Sequence, residues 1–166
     1  MKQLAALDLR LLRLLRTSGH TPAVEAALIR LARAGENGLL WNLIAVVGGT
    51  LSARRRDDYV RAMEIVLLTL LLNTAVKYVV RRARPLLEEE LPALTPVLSG
   101  RSYPSAHAST SFAGAHALAA AGLPPAPLRA TAALMAVSRP YLGVHYPSDV
   151  VAGALLGDAV ARLMSR

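Results

Sequence analysis

"YVRAMEIVLLTLLLNTAVKYVV", residues 59–80, runs for 22 residues with three formal charges, Arg61 and Glu64 near one end and Lys77 near the other. Its centre, "IVLLTLLLNTAV", is uncharged. A helix rising about 1.5 Å per residue crosses a hydrocarbon layer about 30 Å thick in about 20 residues. The segment therefore reads as a membrane span. "RRRDD" at 54–58 reads as a polar turn before it, and "RRARPLLEEELPALTPVLSGR" at 81–101 as an exposed loop after it.

Working outward, residues 37–53 hold no charge, and their 17 positions reach the lower limit for a crossing. Residues 102–128 carry no formal charge with neutral histidines, and "ASTSFAGAHALAAAGL" supplies the small side chains that let helices approach closely. "PPAP" at 124–127 is expected to end that span. A fourth is expected over 128–142 and a fifth over 147–164, where Gly153 and Gly157 form a G-x-x-x-G suited to packing within the bundle or between copies. The expected fold is all-α: a polytopic transmembrane helical bundle of about five spans over 37–166, with amphipathic interfacial helices over 1–36. No internal repeat is visible.

In the first segment, Leu4, Leu7, Leu11, Leu14 and Leu15 fall toward one side of a helix, and Asp8, Arg10 and Arg13 toward the other. Such a helix lies on a membrane or packs against the bundle. Thr21 and Pro22 form a cap-and-first-turn pair, and the helical period of "AVEAALIRLARAG" stops at Gly35. Charges interrupt every candidate signal-peptide core in "MKQLAALDLRLLRLLR", so this segment is expected to stay on the mature protein.

Composition agrees with lipid. The 166 residues are 54% hydrophobic but only 4% aromatic, so Leu, Ala and Val carry the apolar surface. The absence of cysteine excludes disulfides, thiolate metal sites and a cysteine nucleophile. The net charge of +8 comes mainly from arginines at the ends of apolar segments, not from a continuous basic stripe, which argues against nucleic acid as a partner.

Five crossings put the turns at 54–58 and 124–127 on one side, and the polar stretches 77–104 and 139–149 on the other. Arg54, Arg55 and Arg56 place the first side in the cytoplasm by the positive-inside rule. Arg81, Arg82 and Arg84 then stand outside against that rule and require another explanation. Arg81 and Arg82 are candidates for substrate or headgroup phosphate.

Three polar clusters thus share one face. In "KYVVRRARP", Lys77 and Arg84 are two helical turns apart, and either snorkel to headgroups or hold an anion. In "SYPSAHAST", Ser105 and the amide of Ala106 open a helix whose first turn carries His107, an arrangement that suits an oxyanion or an interfacial histidine. In "SRPYLGVHYPSD", Arg139 ends one span and Asp149 opens the next. The carboxylate can accept Nδ1–H from His145, leaving Nε2 free to attack, or it can simply cap the helix.

Together these clusters resemble the type 2 phosphatidic acid phosphatase (PAP2) superfamily, which includes membrane lipid phosphatases and soluble vanadium haloperoxidases. Its K-x6-R-P, P-S-G-H and S-R-x5-H-x3-D motifs read here as Lys77…Arg84-Pro85, Pro104-Ser105-Ala106-His107 and Ser138-Arg139…His145…Asp149. Order, spacing and placement match over about 59–164. The resemblance implies that His145 attacks phosphorus to form a phosphohistidine and that Asp149 orients it. His107 would protonate the leaving oxygen and later activate water. Lys77, Arg84 and Arg139 would hold the phosphate oxygens with Ser105 and the amide of Ala106, and no metal or other cofactor is implied. One residue departs from the pattern: Ala106 stands where the family has glycine, which is harmless in a helix and strained at positive φ.

The expected activity is therefore hydrolysis of a terminal phosphate from a membrane lipid, in a bacterial plasma membrane with the site on the extracytoplasmic face. Polyprenyl-linked substrates lead, either a polyprenyl diphosphate or decaprenylphosphoryl-5-phosphoribose in cell-envelope synthesis. Phosphatidic acid and phosphatidylglycerol phosphate are the alternatives. A vanadate-dependent oxidase and a noncatalytic lipid-binding scaffold are the competing classes. Oligomeric state is open. Among other polar residues, His116 is expected to be packed or hydrogen-bonded, Asp158 to pair with Arg162 one turn on, and Glu88, Glu89 and Glu90 to be solvated.

Overall fold

The computed structural model describes residues 2–85, 92–97 and 99–165, so the Glu88–Glu90 run lies outside the described residues. Among these residues, seven α-helices follow in order: α1 Lys2–Thr17, α2 Pro22–Ala34, α3 Leu39–Leu51, α4 Arg56–Val80, α5 Ala106–Ala120, α6 Pro125–Tyr141 and α7 Pro147–Met164. The described residues contain no β-strand beyond an isolated bridge between Ala83 and Arg101.

Local chemistry sets most boundaries. Thr21 caps α2, its hydroxyl accepting the Val24 amide at 3.3 Å, with Pro22 in the first turn where its missing N–H costs nothing. Left-handed Gly38, φ 76°, turns the chain into α3, and a Cβ there would stand 2.6 Å from Val66. The polar turn expected at 54–58 is shorter than its charge suggested. A single 3-10 turn covers Ala53–Arg55, and α4 begins at Arg56 because Asp57 and Asp58 suit the positive end of a helix dipole.

"PPAP" corrects the reading in the same way. The α5 helix has ended at Ala120, Gly122 turns the chain at φ 93°, and Pro125 starts α6. The proline run thus opens the fourth apolar helix three residues earlier than expected, because its fixed φ suits a first turn. The α5 helix also starts later than its uncharged stretch, at Ala106, with Ser105 as its cap.

The Ala-rich α5 is the centre, with α4, α6 and α7 packed on it. Backbone proximity explains the small residues. A Cβ on Gly153 would stand 2.5 Å from the Ser105 carbonyl oxygen, and one on Gly157 would overlap the Ser109 carbonyl. The G-x-x-x-G therefore serves contact inside the bundle. Trp41 of α3 fills the space over Gly114, and its Nε1–H donates to Ser111 at 3.0 Å.

The outside is apolar along the bundle, with Leu43, Val47, Leu67, Leu71, Val151 and Leu155 all exposed. Such a surface suits lipid better than water. Among the described residues, one helical stretch, Ala53–Val80, is long and apolar enough to cross a membrane.

The bundle ends are distinct. At one, Arg55 donates to the Ala121 carbonyl at 2.9 Å, joining the two turns expected to share a side. The other gathers the motif residues. Against it lies α1, whose leucines Leu4, Leu7, Leu11 and Leu14 point outward. Its docking face is Asp8, Leu12 and Arg16, spaced one turn apart and all buried. Asp8 therefore leaves the exposed polar side expected for it, because that carboxylate has partners in the body of the protein.

Candidate active site

A cavity of about 240 Å³ opens at the motif end, and Lys77, Arg84, Ala106, His107, Arg139 and His145 line it. The apolar pattern of α4 delivers Lys77 to its last turn. Left-handed Arg81, φ 53°, then redirects the chain, so Arg84 reaches the cavity from the following segment and not from a continued helix. The two-turn spacing of Lys77 and Arg84 brings them together by this different route.

His145 lies in the α6–α7 connection with 2% of its surface exposed. Arg84 Nη1 stands 3.1 Å from Nε2. A guanidinium can only donate, so Nε2 holds its lone pair and Nδ1 carries the hydrogen. Nδ1 faces Asp149, whose Oδ2 is 3.5 Å away. That separation is longer than a hydrogen bond, and such contacts tighten when substrate is bound. Burial, then the charges of Arg84, Arg139 and Lys77, push the His145 pKa down to about 3 against the opposing pull of Asp149. The imidazole is neutral and its free lone pair points at a cation, where an anion would arrive.

The cations are held mainly by backbone oxygens. Arg84 donates to the carbonyls of Ser99 at 2.6 Å and Val144 at 2.7 Å. Lys77 Nζ donates to the Arg101 carbonyl at 3.2 Å. Arg139 is 4% exposed, and its buried Nε–H has no partner among the described residues. Two cations positioned by carbonyls, and a third with an unspent donor, can together hold an oxyanion.

His107 lies in the first turn of α5, and its Nε2–H donates to the Ala32 carbonyl of α2 at 2.9 Å. This leaves Nδ1 as the nitrogen able to exchange a proton with a ligand. Ala106 is helical and absent from the positive-φ residues, so alanine is unstrained where the motif has glycine. Ser105 is fully buried, and its hydroxyl accepts the Ala108 amide at 3.4 Å as the α5 cap. It stands behind the cavity wall, as does the fully buried Asp149.

Two non-motif residues complete the surroundings. Arg82, a candidate phosphate ligand in the sequence, instead bonds two carboxylates, Asp149 and Asp8, each at 2.8 Å. Burial would lower its pKa, but the Asp8 bond and both carboxylate charges hold it above the usual guanidinium value. Glu36 also lines the cavity. The one-turn spacing of Asp8, Leu12 and Arg16 puts them on one face of α1, but that spacing alone does not mark the face as docked against the bundle.

Away from this end, Asp158 behaves as expected. Its Oδ2 accepts from Arg162 at 2.6 Å, and its Oδ1 lies 3.0 Å from His116 Nδ1.

Comparison with known proteins agrees with the geometry. Decaprenylphosphoryl-5-phosphoribose phosphatase from Mycobacterium tuberculosis is 34% identical over 148 residues, which cover 86% of this chain and 80% of that protein. The protein of the same name from Mycolicibacterium smegmatis is 34% identical over 132 residues, covering 80% and 72%. The crystal structure of Aquifex aeolicus LpxE superposes with a TM-score of 0.80 at 27% identity, covering 95% of this chain and 94% of that one. A PAP2-type phosphatidylglycerolphosphate phosphatase from Bacillus subtilis shares the fold, with a TM-score of 0.75 at 22% identity over 99% and 85%. Residues 58–166 match the model of the PAP2 superfamily, and the chain belongs to that family.

Proposed function

We propose that this protein is an integral membrane phosphatase that removes the terminal phosphate of a polyprenyl-linked lipid through a phosphohistidine on His145. The observation that carries the reading is the polarity of His145: its lone pair on Nε2 meets Arg84, and its Nδ1–H faces the Asp149 carboxylate. A buried, neutral imidazole among three cations fits the role of a nucleophile waiting for an anion.

In the first displacement, His145 Nε2 attacks phosphorus as the bond to the leaving oxygen breaks, and that oxygen takes the Nδ1 proton that His107 carries as an imidazolium against the bound phosphate, which leaves His107 neutral. Asp149 stabilises the positive charge that the imidazole gains. Lys77, Arg84 and Arg139 offset charge on the equatorial oxygens, the task that magnesium performs in other phosphoryl transferases, and the Ala106 amide adds a donor at the α5 start. In the second displacement, His107 takes a proton from water, which attacks the phosphohistidine and restores His145. The buried Ser105 supports this wall as a helix cap.

The mycobacterial relatives favour decaprenylphosphoryl-5-phosphoribose as the substrate type. The apolar exterior leaves the isoprenoid chain in lipid while a phosphorylated sugar enters the cavity. We assign about five crossings to α3–α7, and interfacial placement to residues 1–36. The site then faces away from the cytoplasm. Arg54–Arg56 lie at the opposite end, while Arg82 and Arg84 have internal partners that account for positive charge on the outer face.

Phosphate release from a panel of lipid phosphates in detergent, with EDTA throughout, tests this reading. The panel includes decaprenylphosphoryl-5-phosphoribose, farnesyl diphosphate, phosphatidic acid and phosphatidylglycerol phosphate. EDTA-resistant release, greatest with the first and lost in His145→Ala, is the expected result. Release that survives the loss of His145 contradicts the assigned nucleophile. Preference for phosphatidic acid or phosphatidylglycerol phosphate contradicts the assigned substrate.

A further inference from the structure

The carboxylate behind the nucleophile is itself held by a chain of contacts that starts outside every motif. Asp8 of α1 is 3% exposed. Its Oδ2 accepts from Arg82 Nη2 at 2.8 Å and from the Ser148 hydroxyl, and its Oδ1 accepts from the Ser148 amide at 2.9 Å. The other arm of Arg82, Nη1, donates to Asp149 Oδ1 at 2.8 Å and to Ser148 Oγ at 2.7 Å. The guanidinium also lies 4.0 Å from the centre of the Tyr146 ring.

These bonds fix which way Asp149 faces. Arg82 occupies Oδ1, and the Tyr146 amide donates to Oδ2 at 2.9 Å. The remaining lone pair of Oδ2 is left for His145 Nδ1. Charge supports the same role. Were Arg82 paired with Asp149 alone, the couple would be neutral, and a cationic phosphohistidine would meet no net negative charge. A second carboxylate leaves the cluster negative. Burial opposes ionisation of Asp8, but the Arg82 and Ser148 bonds prevail and keep it charged.

Burying a carboxylate on a helix rich in leucine is expensive unless its partners compensate. Packing alone would be served by an apolar residue beside Leu12, so the carboxylate calls for a role that packing does not require.

We propose that Asp8 is a positioning residue for the reaction. From the amino-terminal helix it fixes Arg82, Arg82 fixes the Asp149 carboxylate, and Asp149 orients His145. The α1 helix is then part of the catalytic machinery as well as an interfacial element. The inference rests on the reading of His145 as the nucleophile.

A double-mutant cycle on the full chain in phospholipid nanodiscs tests it, with farnesyl diphosphate as probe and radiolabelled phosphate release as readout. Asp8→Asn is expected to lower kcat about tenfold, the scale of one charge-assisted hydrogen bond, while KM stays within about twofold. In an Asp149→Asn background the same substitution is expected to cost nothing further, because its route to His145 is already cut. Independent, multiplicative losses, a change in KM alone, or an unchanged kcat overturns the proposal. Should Asp8→Asn fail to fold, Arg82→Gln breaks the same chain at the next residue and must lower kcat without raising KM; unaltered kcat there overturns it equally. Absence of turnover by the unmodified protein, or turnover that survives His145→Ala, defeats the nucleophile assignment and this inference together. Turnover that needs His145 but not Asp8 defeats the inference alone.

Discussion

Two histidine, aspartate and arginine trios occupy opposite halves of the bundle, and both draw their carboxylate from α7. His116, Asp158 and Arg162 form one, with a histidine-to-carboxylate contact of 3.0 Å. His145, Asp149 and Arg82 form the other, with a looser contact of 3.5 Å. By the distance alone, the first is the better pair. What separates them is burial and the far side of the imidazole. The His116 and Asp158 side chains are 26% and 34% exposed, whereas those of His145 and Asp149 are 3% and 0% exposed. Only His145 presents its second nitrogen to a guanidinium in a cationic cavity. A histidine beside a carboxylate is therefore ordinary stabilising chemistry until a desolvated anion site stands on its other face.

The largest effect that sharpens this comparison comes from the carboxylates. Asp149→Asn is expected to reduce kcat about ten-thousandfold, by analogy with the carboxylate of a serine protease triad. Asp158→Asn is expected to leave kcat within about twofold and to cost some thermal stability, measured by phosphate release and thermal melts on the same samples. Equal losses at both positions would break the distinction.

Next in size is the anion site. Arg139→Lys retains charge but removes the planar donor set, and a loss of about a hundredfold in kcat is expected from one missing oxyanion donor. Arg162→Lys, the corresponding change in the other trio, is expected to leave turnover unaltered. A neutral effect at Arg139 would show that its buried Nε–H does not meet the transferring group.

A smaller effect concerns pH. His145, pushed down to about 3, is neutral throughout the range from pH 5 to pH 8, so protonation of the free nucleophile contributes no limb to kcat/KM there. A monoester probe ionises its second proton near about pH 6 and imposes its own limb. Profiles with a phosphate monoester and with a fully ionised analogue separate the two; an imidazole NMR resonance that titrates at about 6.5 in the unmodified protein and is missing from His145→Gln would show an ordinary, unburied histidine.

The smallest expected change is at Ala106→Gly, which restores the family residue. The backbone there is already helical, so activity is expected to stay within about twofold while stability falls by about 0.5–1 kcal/mol. A large gain in activity would contradict the unstrained geometry.

The sequence made the motif cluster legible because its residues lie at the ends of apolar segments, where hydropathy alone determines which ends meet. The α7 bounds and the Thr21 and Gly35 limits of α2 were legible for the same kind of reason, since caps and prolines act locally. Asp8 and Arg82 were not. Their pairing joins α1 to the segment after α4, and nothing in either stretch announces a partner 74 residues away. The periodicity of α1 distinguishes leucines from charges but not lipid from protein. In this case the leucines face outward and a carboxylate faces in. Ser105 illustrates the opposite limit: its position in the motif is evident, but only the fold reveals that its hydroxyl is engaged as a helix cap.

The central claim is that phosphate passes through His145, and trapping it there is the most direct test. Protein incubated with radiolabelled substrate in the presence of EDTA, quenched in alkali and digested, is expected to carry an alkali-stable, acid-labile phosphate on the peptide containing His145. The label should be absent from His145→Gln and, with farnesyl diphosphate, whose phosphate leaving group departs without help from an acid, should accumulate in His107→Gln, where water is no longer activated. Turnover with no trapped phosphate in either the unmodified protein or His107→Gln, or with the phosphate on another residue, would contradict the account.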